Sequence, residues 1–218
     1  MLLLLLPVLA MATDYRAEVD RIATQRAELA ERWQAAPPAE RPTILAEARR
    51  VVDRAIVDTF MPAWEGTTWA FHGMTTTPRE GEIACGFYVT TLLRDAGFQV
   101  ERDRLARQAS ENIIRTVSPK KTMWRRIGVS AEASVDGAED GLYIAGLDQH
   151  TGFVVVRAGA ARFCDASYVS PAAVTCQPVA TSASFSSNYR VFGSVLADET
   201  LVKWLEGRAF PTVGNVTR

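Results

Sequence analysis

The 218 residues carry 24 Lys and Arg against 25 Asp and Glu, a net charge of −1, and 48% of them are hydrophobic. Such a chain can bury a sizeable core without metal or disulfide support, and its length suits one domain with an appendage or two small domains. The missing basic excess argues against a general nucleic-acid binder.

The chain opens on MLLLLLPVLAMA, an apolar stretch too short to span a bilayer, ended by the small-x-small run Ala10-Met11-Ala12. Residues 1–12 are therefore expected to be a signal peptide and the protein to be exported to the periplasm or secreted. No later segment has the length and apolarity for stable membrane insertion. From residue 13 to about 62 two helices are expected. Tyr15, Val19, Ile22, Leu29 and Trp33 recur at four- and three-residue steps, broken once by Arg26, and Pro37-Pro38 ends the stripe. A second stripe follows Pro42 through Leu45, Ala48, Val52, Ala55, Ile56 and Phe60. The short connection predicts an antiparallel pair packed on the remainder, residues 63–218.

Residues 66–84 have loop chemistry, rich in Thr, Gly and charge. A helix is predicted from Cys85 to about Ala96, stopped by Gly97, and another from Leu105 to Val117, stopped by Ser118-Pro119. The basic run Lys120, Lys121, Arg125 and Arg126 reads as solvated loop or helix surface rather than a polyanion site. Beyond residue 140 the pattern becomes β, with short runs at 142–145, 152–156, 162–168 and 189–195, and residues 200–207 close with a small helix. Helices first and an antiparallel strand series afterwards predict an α+β fold.

The three cysteines are Cys85, Cys164 and Cys176. In an oxidising compartment Cys164 and Cys176 are near enough in sequence to pair across a turn, which leaves Cys85 as the odd thiol. Cys85 stands where a loop enters a helix. Unpaired amides and the positive helix end stabilise a thiolate there and can bind a developing oxyanion. A buried structural cysteine fits the position equally well. His150, at the mouth of the strand that continues Thr151-Gly152-Phe153, supplies the imidazole that a thiolate nucleophile needs. Asp165 lies on the next strand beyond a turn at 158–160, where a hairpin brings it back towards His150 to hold the tautomer. Ser167 or a water is the alternative third group. Two isolated histidines with no carboxylate at ligand spacing do not make a zinc site, and no metal or cofactor is expected.

The segments Gly66-Thr67-Thr68-Trp69-Ala70-Phe71-His72-Gly73, Ala84-Cys85-Gly86-Phe87, Gly141-Leu142-Tyr143 and Gln149-His150-Thr151-Gly152-Phe153 resemble the NlpC-type cell-wall peptidases, a branch of the papain-like cysteine hydrolases. The resemblance implies a papain-like fold with the nucleophile helix packed on an antiparallel sheet. It implies a Cys85, His150, Asp165 triad and hydrolysis of an amide in a peptide or peptidoglycan fragment through a thioester. In the family a tyrosine hydroxyl helps the oxyanion site; here that position is Trp69, so a donor there becomes an indole N–H. Ala84 stands where the family has Asp, and the serine after the nucleophile is absent. His72 replaces a glycine and would stand at the cleft rim. A catalytically silent exported binding protein with the same fold is the competing reading. Oligomeric state is not legible in the sequence.

Overall fold

Side chains at positions 15, 22, 29 and 33 fall on one helical face, and in the computed structural model Tyr15, Ile22, Leu29 and Trp33 are all buried. The structure describes residues 5–214, with side chains from Tyr15 onwards. The leader expected at 1–12 thus has its first four residues, and all its side chains, outside the described residues.

In chain order the elements are α1 (Leu5–Ala35), α2 (Arg41–Arg54), a π-helical turn (Ala55–Phe60), α3 (Met61–Trp64), β1 (Thr68–Trp69), β2 (Glu82–Ile83), α4 (Cys85–Asp95) and β3 (Gln99–Val100). There follow α5 (Arg102–Ala106), α6 (Ser110–Val117), a 3₁₀ turn (Lys120–Thr122), β4 (Met123–Ile127), α7 (Ala131–Val135), β5 (Gly141–Leu147) and β6 (Thr151–Arg157). The chain continues through β7 (Ala160–Ala166), β8 (Val174–Pro178), a 3₁₀ turn (Ala183–Phe185), β9 (Tyr189–Ser194), α8 (Asp198–Leu205) and β10 (Ala209–Phe210). The centre is a six-stranded antiparallel sheet in the order β4-β9-β5-β6-β7-β8. The fold is of the α+β kind, with helices before a mostly antiparallel sheet.

Strand alternation divides the core. Leu142, Ile144, Phe153, Val155, Cys164 and Ala166 face the helices and share one apolar cluster with residues of α1, α2, α4, α6 and α8. Tyr143, Ala145, Val154, Val156, Phe163 and Phe192 form the cluster on the other face, with Phe185 and partly buried Trp124 and Val135. Two-sided burial explains why β5 and β6 read as continuous apolar runs rather than alternating ones.

The helical pair is joined to the body by polar contacts as well as packing. Tyr15 Oη donates to Asp95 Oδ2 at 2.7 Å, and Trp64 Nε1 donates to Tyr15 Oη at 2.9 Å, so α1 and α3 hold the far end of α4. Burial drives the Tyr15 phenol far above its ordinary range, with the Asp95 carboxylate acting in the same direction, and keeps it a neutral donor. Arg26, the break in the apolar stripe, donates from Nε to Trp204 O at 2.9 Å and lies over the Trp204 ring. Gly97 adopts φ +90°, and Phe98 N donates to Leu93 O at 3.0 Å, which closes α4 as its sequence predicts.

Two readings of the sequence are corrected, and one strand is added. The helix expected over 105–117 is two, α5 and α6, because the chain turns at 107–109 to carry the Ala106 carbonyl against α4. The basic run at 120–126 is a 3₁₀ turn followed by β4. Its arginines lie along a sheet edge, where Arg125 Nε donates to Tyr189 Oη at 3.1 Å. β8, whose residues carry only a weak strand signal, pairs with β7 and places Cys176 directly opposite Cys164, to which the structure joins it by a disulfide. Cys85 is the free cysteine among the described residues.

One glycine in α4 has no alternative. A Cβ on Gly86 would overlap the Ala106 carbonyl oxygen, a backbone atom with no room to give. Alanine gains about 1 kcal/mol in helix propensity, but overpacking against backbone costs about 1–3 kcal/mol. Gly86→Ala is therefore expected to lower the thermal midpoint, by about 2–4 °C per net kcal/mol at this chain length. Circular dichroism melting checks it, and a midpoint at or above the wild-type value would show that α5 yields.

Candidate active site

The site begins with the entry to α4. Ala84 is extended, at φ −86° and ψ 158°, and Tyr88 N makes the first helical bond, to Ala84 O at 2.9 Å. The amides of Cys85, Gly86 and Phe87 thus have no intrahelical acceptor and point towards the start of the helix. The loop before it is laced in place. Ala84 N donates to Gly73 O at 2.9 Å, and Arg102 Nη2 donates to Met74 O at 3.0 Å and Thr75 O at 2.9 Å. Parallel pairing of β1 with β2 sets Trp69 beside Ile83, two residues from Cys85.

His150 arrives from the sheet. The turn between β5 and β6 closes with Leu147 N donating to His150 O at 2.9 Å. Asp148 anchors that turn by accepting from Ser187 Oγ at 2.7 Å and Asn188 N at 3.0 Å. The hairpin register pairs Phe153 with Cys164, which sets Gly152 opposite Asp165. A Cβ on Gly152 would lie 2.7 Å from the Phe163 ring and 2.8 Å from Asp165 Cβ. Only glycine at 152 lets the Asp165 side chain pass beneath the imidazole. His150 Nε2 then meets Asp165 Oδ2 at 2.6 Å, both side chains being buried.

With Nε2 turned to Asp165, the other ring nitrogen is left for Cys85, whose thiol has the imidazole and the backbone amides of Thr151 and Gly86 beside it. The structure therefore brings together Cys85, His150 and Asp165 in the order a thiol–imidazole–carboxylate relay needs. Burial by itself raises the Cys85 thiol, but the His150 hydrogen bond and charge, with the two amides, outweigh it and hold the thiol below its ordinary range. Burial by itself lowers His150, yet the hydrogen bond to Asp165 and the adjacent Cys85 push it up to about 9. Both shifts favour a thiolate–imidazolium pair over the neutral thiol and imidazole.

The pair sits on the wall of a cleft of about 550 Å³ lined by Trp69, Phe71, His72, Gly86, Arg107 and Tyr168, among others. A hollow of about 650 Å³ lies elsewhere, beside Lys121, Trp124 and Asp140, but no cysteine or histidine lines it. Its cations Arg49 and Lys121 are paired with Asp198 and Glu199. Trp69 lines the cleft that holds Cys85, and its indole N–H has no partner among the described residues. His72 stands at the rim with its ring 4.9 Å from that of Phe71. Sequence reasoning did not single out Tyr168, whose ring lies 5.1 Å from His150 at 80° and 6.2 Å from Trp69. Its position three residues after Asp165 was the available signal. Arg107, the cleft's one permanent charge, is set over the Phe87 ring at 5.4 Å. It was missed because residues 105–117 read as one helix.

The electrostatics predict a pH profile. Alkylation of Cys85 by iodoacetamide should rise along an acid limb lying below that of an ordinary thiol and then level off. The imidazolium is lost as pH rises through about 9, so any step needing its proton should fail there while alkylation persists. Rates between pH 4 and 10 measure both limbs, and an acid limb at the ordinary cysteine position would rule out the ion pair.

Among the described residues no group of three or more His, Cys, Asp or Glu side chains is placed to hold a metal ion, and no helix is long and apolar enough to cross a membrane. No protein-family model matches the chain, and neither does any curated protein or solved structure.

Proposed function

We propose that this protein is an exported cysteine hydrolase that cleaves an amide bond, with Cys85 as nucleophile, His150 as acid and base, and Asp165 as the group that orients His150. The observation that carries the reading is the series from Cys85 through His150 to Asp165, with His150 Nε2 hydrogen-bonded to Asp165 and the thiol beside the imidazole at the opening of α4, facing a cleft. The nucleophile helix lying on an antiparallel sheet supports a papain-like, NlpC-type arrangement. The peptidoglycan stem peptide is the substrate class that goes with that arrangement.

The chemistry follows from the placement. The thiolate adds to the amide carbonyl, and the oxyanion meets the amides at the start of α4. His150 gives its proton to the amide nitrogen as the C–N bond breaks, and the acyl group stays on sulfur as a thioester. Water then attacks that carbonyl, His150 takes its proton, and the C–S bond breaks to restore the thiolate. Asp165 holds the imidazole and stabilises its charged form throughout.

The test is product analysis by mass after incubation with peptidoglycan fragments, combined with acid trapping of the protein. Cleavage with an acyl adduct on the Cys85 peptide is the expected result. Cleavage without any adduct on Cys85 would remove it as nucleophile. A protein whose Cys85 reacts with electrophiles no faster than free cysteine would be the silent binding protein instead.

A further inference from the structure

In amide cleavage the proton donor must face the departing nitrogen, so the wall beside His150 is the wall that the amine half of the substrate touches. In this protein that wall is aromatic. Tyr168 sets its ring edge-to-face on the imidazole, Trp69 follows it, and Phe71 extends the surface towards solvent. Phe71 and Tyr168 are 76% and 49% exposed, large apolar groups left uncovered at the mouth of one cleft. The Tyr168 hydroxyl has no partner among the described residues. The 106–108 segment, by contrast, packs on Gly86 and Phe87 at the α4 end of the cleft, on the side of the oxyanion and the acyl half. No Asp or Glu lines the cleft to attract a cationic amine.

We infer that Trp69, Tyr168 and Phe71 form an amine-side subsite for a residue with an aromatic or similarly flat apolar side chain, and that the same subsite admits such an amine as an acyl acceptor. The inference rests on the proposed thioester at Cys85 and reaches beyond it. Once the first amine has left, a neutral amine stacked on Tyr168 stands where the departing nitrogen stood. Its nitrogen attacks the thioester carbonyl, His150 removes the nitrogen's proton, the C–N bond forms, and the C–S bond breaks to return the thiolate. Transfer and hydrolysis then compete for one intermediate, and occupancy of the aromatic wall sets the ratio. Stacked aromatic contacts are strong enough to give about tenfold discrimination over a small side chain.

The experiment supplies acetylalanine p-nitrophenyl ester as acyl donor and compares phenylalaninamide with alaninamide at equal free-base concentration. Amide and acid products are read by mass. Capture by phenylalaninamide should exceed capture by alaninamide about tenfold, and in Tyr168→Ala the ratio should fall below about threefold. Equal capture in the wild type, or a ratio unchanged in Tyr168→Ala, would overturn the subsite. A second arm needs no catalysis: wild-type protein is titrated with each amine while the Tyr168 ring signals are followed by NMR. Selective phenylalaninamide binding without ester turnover would remove the hydrolase reading and keep the subsite. Turnover on Cys85 with no selectivity in either arm would remove the subsite and keep the hydrolase.

Discussion

Cys85→Ala is expected to lower turnover of any amide substrate by about 10⁴-fold or more, since no other group among the cleft residues can form the acyl intermediate. Cys85→Ser should recover little of this. A serine hydroxyl ionises far above the thiol, and an imidazole already committed as imidazolium to Asp165 is a poor base for it, so a deficit of about 10³-fold should remain. Cys85 lies at the first position of α4 with its side chain turned into the cleft, and neither replacement removes a core contact. Both variants should melt near the wild type, apart from the part of the ion pair they delete. Turnover within tenfold of wild type in the alanine variant, measured on fragments or on an activated ester, would rule out covalent catalysis at this position.

The position proposed as nucleophile was legible because its signals are local. Loop residues before Cys85, an amphipathic stretch after it and Gly97 beyond fixed a helix and its start within about twelve positions. His150 and Asp165 needed only one hairpin to be brought together, and the turn at 158–160 after the run Val154-Val155-Val156 announced it. The remaining parts depend on long-range packing. Gly152 looks like an ordinary strand glycine until the register sets it under Asp165. The turn that splits α5 from α6 carries neither glycine nor proline, and its cause, the Ala106 carbonyl meeting Gly86, joins residues twenty apart. β4 is charged because it is an edge strand, and Arg125 and Arg126 oppose pairing with other chains while mimicking a solvated helix in sequence. The aromatic wall draws Trp69 and Phe71 from one loop and Tyr168 from another a hundred residues later, and no periodicity connects them.

The series Cys85–His150–Asp165 is an electrostatic unit, so the second large effect belongs to its centre. His150→Ala should reduce turnover by about 10³–10⁴-fold, through loss of the proton donor for the amine and loss of the charge that keeps Cys85 ionised. The two losses have different pH signatures. In the wild type the imidazolium persists until pH passes about 9, so a neighbouring cation favours ionisation of Cys85 across the neutral range. Without that cation the remaining burial favours the neutral thiol. The alkylation deficit of His150→Ala should therefore be greatest near pH 6 and shrink steadily towards pH 9, where hydroxide ionises the thiol unaided. The turnover deficit should not shrink in parallel, because no group replaces the proton donor. Stability follows the same sign. A histidine raised from its unfolded value of 6.5 to about 9 contributes fully below the lower figure and loses its contribution as pH rises through the upper one. Alanine also leaves Asp165, which is 0% exposed, without its ion-pair partner, at a cost of about 3–5 kcal/mol. His150→Gln, which can still donate to Asp165, should recover most of the melting temperature at pH 7 and none of the turnover. Recovery of turnover by glutamine would mean that His150 acts by holding Asp165 and the sheet end in place, and the proton would have to come from elsewhere in the cleft.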